Sequence, residues 1–219
     1  MGLDFAQMVP SIPYILKGIG VTLKIVALSG VIGFILAILL ALCKISRFKV
    51  LTLLADFYTS LFRGTPLVLQ LMIIFYGSPQ ILGGQLEPYI AAVLAFSLNS
   101  AAYISEVIRA GIQAVDKGQK EAAMALGIPY RAMMKDVILP QAIKNILPAL
   151  VNEFITLTKE SAIVTVIGVQ DIMRRSYVVG SDLYSFFEPI LFAGLIFYVM
   201  VMILTVIGKW IERRLSAND

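Results

Sequence analysis

The sequence predicts an all-α, polytopic membrane protein, and three observations carry that expectation. Charged residues make up 15% of the 219 positions, where a soluble domain carries about 25%. The residues are 59% hydrophobic with a mean hydropathy of +0.87, too apolar for one water-soluble core of this length. The apolar residues also gather into uncharged runs, and about 20 residues at ~1.5 Å each suffice to cross hydrocarbon. No low-complexity tract or internal repeat divides the chain, so 1–219 reads as one transmembrane domain.

Five transmembrane helices are expected. The first is the clean run 25–43. The second is the uncharged stretch 64–86, with its helical core at 65–76. Gly77-Ser78-Pro79-Gln80 and Gly83-Gly84 mark the loop that follows. The third is 88–105, opened by Pro88, since proline suits the start of a helix. The fourth, roughly 145–169, is interrupted by Glu153, Lys159 and Glu160. The fifth is 189–208, preceded by a longer loop segment at 171–188.

Basic residues orient these spans. One side collects Lys44, Arg47 and Lys49, then Lys117, Lys120, Arg131, Lys135 and Lys144, then Lys209, Arg213 and Arg214. The other holds little beyond Arg174 and Arg175. The N-terminus is therefore expected outside and the C-terminus in the cytoplasm. The net charge of +4 is explained by this orientation and points to no nucleic acid.

Several functions are disfavoured. There is no histidine, which removes the commonest general base and transition-metal ligand. The single cysteine, Cys43, permits no disulfide within the chain. Residues 1–20 carry Asp4, Pro10 and Pro13 without a basic segment before an apolar core, so no cleavable signal peptide is expected. No GxxxxGK[ST] phosphate loop is present, so the chain is not itself an ATPase.

A polar island at about 113–144 lies between the third and fourth spans, on the expected cytoplasmic side. Residues 116–126 are good helix formers, Gly127 suits the left-handed residue that ends a helix, Pro129 fits the first turn of a second helix, and Pro140 ends it. Two short helices with a glycine corner are expected, with Ala122, Ala123 and Ala125 giving a low surface that a partner can approach. By periodicity alone the island could equally be an amphipathic loop on the membrane surface.

Glu121-Ala122-Ala123, Gly127 and Val137-Ile138-Leu139-Pro140 together read EAA-x3-G-x9-[IV]-x-L-P. It resembles the signature loop of bacterial ABC importer permeases. Ala101-Ala102-Tyr103, Glu106, Arg109 and Gly118-Gln119 resemble the polar amino acid permeases of the histidine, glutamine and arginine type, over nearly the whole chain. Arg63-Gly64-Thr65-Pro66 also recurs in that family, and physically Gly64 and Pro66 should bend or start the second span. The resemblance implies a type I ABC importer permease in the bacterial inner membrane. It implies that Glu121, Ala122, Ala123, Gly127, Leu139 and Pro140 dock on a separate ATP-binding subunit, present in two copies. ATP and Mg²⁺ belong to that subunit, and no cofactor or metal is expected in this chain. A second permease copy or a close paralogue, most simply a homodimer, completes the pathway, and an extracytoplasmic solute-binding protein delivers the substrate.

Ionisable residues within spans are costly and mark pathways or partners. Glu153 and Glu160 are seven apart and share a helix face, with Thr156 beside them and Asn152 and Lys159 adjoining. Asn99 and Glu153, with Thr156 and Gln70 as weaker members, are the expected substrate-binding residues. A carboxylate at Glu153 favours basic amino acids: arginine, lysine or histidine. Glutamine or another polar amino acid remains an alternative, because an α-ammonium can use the same carboxylate. The plainer possibility is that Glu153 pairs with Lys159 or Arg63 and only joins helices. Lys159 with Glu160, and Glu106 with Arg109, read most simply as local ion pairs. A self-contained ion-coupled transporter or channel, a membrane enzyme, and an ABC permease for another solute are the rival classes.

Overall fold

The computed structural model describes residues 4–216, so the extreme termini, whose sides of the membrane the charges predict, lie outside it. Among the described residues there is no strand. After a 3-10 turn at Ala6–Ser11, α1 runs over Ile12–Lys44, with Pro13 in its first turn. It packs along α4, Pro88–Gln113, through a seam of small residues. A Cβ on Gly33 would lie 2.8 Å from the Ser100 side chain and 3.1 Å from the Ser97 carbonyl oxygen. Ala37, Ala41 and Ala101 are buried nearby in sequence on the two helices. Small side chains of this kind let membrane helices approach closely, where dispersion rather than hydrophobic exclusion drives association.

Between them lie α2, Lys49–Gly64, and α3, Leu67–Leu82. They are bent by 103° across Thr65-Pro66. The sequence expectation of a bend at Gly64–Pro66 therefore holds, and α3 falls within the expected 64–86 run. Helix α2 was not anticipated. It is amphipathic: Thr52, Asp56, Thr59, Ser60 and Arg63 recur at helical spacing on one face. On the other, Leu53, Leu54, Phe57 and Leu61 are exposed.

Helix α5, Lys117–Ala125, is followed by the single turn α6, Tyr130–Ala132, a π-helical segment at Met133–Ile138, and α7, Leu139–Glu160. Pro140 was expected to end the second short helix. It sits instead in the first turn of α7, where its missing N–H breaks little and its fixed φ is helical. The chain winds on from Tyr130 to Glu160 without leaving helical geometry. A 3-10 stretch at Ser161–Ile167, then α8, Ile172–Asp182, and α9, Phe187–Ser216, complete the fold.

The apolar core falls into three clusters along the bundle. One joins α1, α3, α4 and α7 around Phe96 and Leu71. One joins α1, α8 and α9 around Ile15 and Ile172. The third joins the end of α4 to α5 and the start of α7 around Met133 and Ile138. Among the described residues three helices, α1 (with its leading turn), α4 and α9, are long and apolar enough to cross a membrane, and the bent α2–α3 pair passes the same test when taken together as one broken span. Helix α7 does not qualify alone, since Asn145, Asn152, Glu153, Lys159 and Glu160 interrupt its apolar residues.

Candidate functional site

The polar island folds into a rigid corner. The Asp116 side chain accepts from the Gly118 backbone N–H at 2.7 Å and caps α5. At the other end Gly127 has φ +70°. The Ile128 N–H donates to the Ala123 carbonyl and the Gly127 N–H to the Met124 carbonyl, both at 3.0 Å. These are the two bonds of a Schellman cap. Glu121 and Ala122 are exposed, as are Gly127, Leu139 and Pro140. Ala123 departs from its expected surface role, being only 3% exposed and packed with Ile128, Met133 and Ile138. The exposed apolar surface at the corner comes instead from Met124, Leu126 and Tyr130. Sequence reasoning passed over them, though bulky apolar side chains flanking a cap glycine in a polar island are an available signal.

Gln70 and Asn99 are brought together at the break between α2 and α3. The Asn99 amide nitrogen donates to Gln70 Oε1 at 2.9 Å and to the Phe62 carbonyl at 3.4 Å. The Gln70 amide nitrogen donates to the carbonyls of Phe62 and Thr65 and to Thr65 Oγ1, at 2.8 to 3.0 Å. Both side chains are buried. A helix that stops at Gly64 leaves carbonyls without helical donors, and within a membrane these need partners. The two amides supply them.

Glu153 and Thr156 lie elsewhere, on α7. At ~100° per residue, Asn152, Glu153, Thr156, Lys159 and Glu160 fall within about a third of the helix circumference. Phe154, Leu157 and Thr158 take the opposite side, toward α1 and α4. Asn152 and Lys159 are exposed and Glu153, Thr156 and Glu160 half-buried. Among the described residues none of these five polar side chains makes a hydrogen bond or an ion pair within the chain, and none links to Asn99 or Gln70. Neither the Glu153 pairing with Lys159 or Arg63 nor the Lys159–Glu160 pair is formed.

Glu106 and Arg109 do pair, at 2.7 Å. The pair belongs to a larger cluster, because Lys44 at the end of α1 reaches Glu106 at 2.5 Å and Asp56 on α2 at 2.8 Å. The sequence reading uses Lys44 only as an orienting charge and does not single out Asp56. The helical spacing of Thr52, Asp56, Thr59 and Arg63 was the signal. At the other end of the bundle Asp171 caps α8, accepting from the Arg174 N–H at 2.8 Å. Its second oxygen is buried without a partner. Burial pushes the Asp171 carboxyl up to about 6, against the pull of the Arg174 and Met173 backbone N–H groups.

Comparison with known proteins gives one family and close relatives. Residues 29–217 match the family described as the binding-protein-dependent transport system inner membrane component. The arginine transport system permease protein ArtQ of Bacillus subtilis is 64% identical over all of both chains. A Rickettsia felis protein named, provisionally, as the glutamine transport system permease protein GlnP is 50% identical, over 95% of this chain and 96% of its own. A crystal structure of an amino acid ABC transporter with histidines contains a chain 45% identical to this one, with a TM-score of 0.94, covering 98% of this chain and 100% of that one.

Proposed function

The chain belongs to the family of binding-protein-dependent transport system inner membrane components, and on that premise we propose that it builds, with a second copy of itself, the pathway of an importer for basic amino acids. It is a permease component of a bacterial ABC amino acid transporter and lies in the inner membrane. Its five spans are α1, the bent α2–α3 pair, α4, α7 and α9, with the N-terminus outside and the C-terminus in the cytoplasm. The whole of 1–219 acts as one type I permease domain, with the loop at 113–144 as its coupling element.

The observation that carries the substrate reading is the Glu153 stripe on α7. A carboxylate within a membrane helix demands a partner or a wet cavity, and among the described residues no cation pairs with Glu153. Two facing copies of α7 would enclose the stripes and leave the carboxylates to an incoming ammonium or guanidinium. The name of the 64% identical B. subtilis relative favours arginine, and that of the R. felis relative keeps glutamine as the second reading. Asn99, whose amide N–H groups go to the break, contributes through its free carbonyl oxygen, and Gln70 holds the break that frames the site.

Glu121, Ala122, Gly127, Leu139 and Pro140, with Met124, Leu126 and Tyr130, form the face that docks on the ATP-binding subunit. Ala123 supports it from beneath. That subunit, in two copies, carries ATP and Mg²⁺. ATP-driven closure of the pair moves the two α5 corners as rigid bodies and rocks the permease halves to face outward. An extracytoplasmic binding protein then releases the amino acid into the pathway, and hydrolysis returns the halves to face inward.

The test is ATP hydrolysis and uptake by the assembled transporter in proteoliposomes, with a panel of amino acids and with Glu153→Gln beside the native chain. Stimulation by arginine, lysine or histidine that the variant loses is the expected result. Equal stimulation in both chains would reduce Glu153 to a structural role. A glutamine-specific response in the native chain would select the second reading.

A further inference from the structure

The ends of α1, α2 and α4 that carry Lys44, Asp56 and Glu106 enclose an open polar cavity of about 520 Å³. Three cations, Lys44, Arg63 and Arg109, and two carboxylates, Asp56 and Glu106, line it. Their hydrogen bonds show which charge is left over. The Lys44 ammonium uses its three donors on Asp56 Oδ1, Thr59 Oγ1 and Glu106 Oε1. Glu106 Oε2 accepts from Arg109 Nε at 3.1 Å and from its Nη2 at 2.7 Å. Arg109 Nη1 donates to Gln113 at 2.7 Å.

Arg63 remains. Its nearest carboxylate oxygen, Glu106 Oε2, is 3.9 Å away and already held by Arg109. Among the described residues its guanidinium makes no hydrogen bond. It is placed nonetheless. The guanidinium lies 5.5 Å from the centre of the Tyr103 ring, a cation–π distance. The preceding carbonyl, of Phe62, is held by Gln70 and Asn99 at the helix break. A fixed guanidinium with a free fork of N–H groups, in a cavity with one cation in excess, is complementary to a forked oxyanion, which it can take bidentately. The side chain is 46% exposed, so the fork is reachable.

We propose that Arg63 is an anion-binding residue of this cavity and takes the α-carboxylate of the amino acid in transit. The proposal rests on the amino acid reading above and adds the second pole to it. Glu153 meets the cationic end of the substrate and Arg63 the carboxylate, and the Asn99–Gln70 pair acts here by positioning Arg63. The phosphate of an anionic lipid offers the same chemistry, and the experiment separates the two sources.

The permease–ATPase complex, without binding protein, is placed in lipid nanodiscs, and binding of L-arginine and of L-argininamide is titrated. The amide keeps both cationic groups and lacks the carboxylate. A charge-assisted bidentate contact gives the native complex a preference for arginine of about tenfold or more. Arg63→Gln should abolish the preference, and Arg63→Lys should restore part of it. Glu153→Gln should weaken both ligands alike and leave the preference. Unchanged preference in Arg63→Gln overturns the proposal, as does a native complex that binds both ligands equally or neither. An effect of Arg63→Gln without one of Glu153→Gln keeps the proposal and removes the Glu153 reading. Nanodiscs with and without phosphatidylglycerol form the lipid arm. Arg63-dependent retention of that lipid by native mass spectrometry, with arginine unable to displace it, assigns the site to lipid and overturns the substrate assignment. Melting of each variant within a few degrees of native shows that the loss is local.

Discussion

Replacing Gly127 by alanine isolates one physical term at the coupling corner. Gly127 has φ +70°, and a Cβ built there meets nothing within 4 Å. No clash enters, and only the backbone conformation is penalised. Left-handed geometry costs an L-residue roughly 1–2 kcal/mol. The smaller entropy of the unfolded alanine chain returns roughly 0.4–1 kcal/mol. The net is about 1 kcal/mol, or about a fivefold rise in local opening of the cap. Asparagine adopts the left-handed region more readily and should give a clearly smaller effect. The assay is hydrogen exchange of the peptide covering 122–130 in the assembled transporter, because the Ile128 and variant-127 amides close the cap onto Ala123 and Met124. Uptake per ATP should fall in the same order: glycine, asparagine, alanine. Unchanged exchange in Gly127→Ala, or Gly127→Asn as damaging as alanine, would refute the argument that backbone conformation fixes this corner.

Other consequences are equally direct. Gln70→Leu strips partners from the Phe62 and Thr65 carbonyls and from the Asn99 amide. A buried group left unpaired costs about 1–3 kcal/mol in water-soluble proteins, while membrane hydrogen bonds average ~0.6 kcal/mol. A melting loss near the middle of the ~1–3 kcal/mol range is expected, because the Thr65 carbonyl loses its donor while the Phe62 carbonyl and the Asn99 amide keep their 3.4 Å bond to each other, and a thermal shift assay decides. Lys44→Met takes one cation from Glu106, which keeps Arg109, and from the exposed Asp56, and should destabilise by about 1–3 kcal/mol. Lys44→Met with Glu106→Gln should recover part of that in the same assay, and an additive double variant would contradict the coupling. Asp171 holds its proton more tightly folded than unfolded, since its value moves from 3.8 to about 6. Its contribution is therefore present below pH ~4 and lost as the pH rises through ~6, a difference of roughly 3 kcal/mol. Asp171→Asn keeps an acceptor for the Arg174 N–H and should flatten the fall in melting temperature between pH ~4.5 and 7. A native curve that rises over that interval would contradict the sign.

The polar island shows how much was legible and where legibility stopped. Helix α5 begins after Asp116 and closes at Gly127 as propensity and cap chemistry require, since both act between residues a few positions apart. Pro140 was misassigned because proline is compatible with the end of one helix and the first turn of the next. The choice fell to Met133 and Ile138, buried against the end of α4, which keep the chain helical through the π segment. Ala123 was misread for a similar reason. Alanine is small enough for a surface or a seam, and only the packing of Ile128 and Met133 turned it inward.

An all-helical membrane chain, the bend at Gly64–Pro66, the glycine corner and the carboxylate stripe on α7 were all written in the order of the residues. These follow from periodicity, hydrocarbon thickness and backbone conformation, all properties of short segments. The partners were set by how the helices pack. Asn99 and Gln70 are 29 residues apart and meet at 2.9 Å to complete the broken helix. Lys44 crosses 62 positions to take Glu106. That contact, with Arg109, leaves Arg63 with an open fork. Charge pairing is a matter of a few ångströms, and the chain order of two ionisable residues does not set the distance between them until the helices have packed.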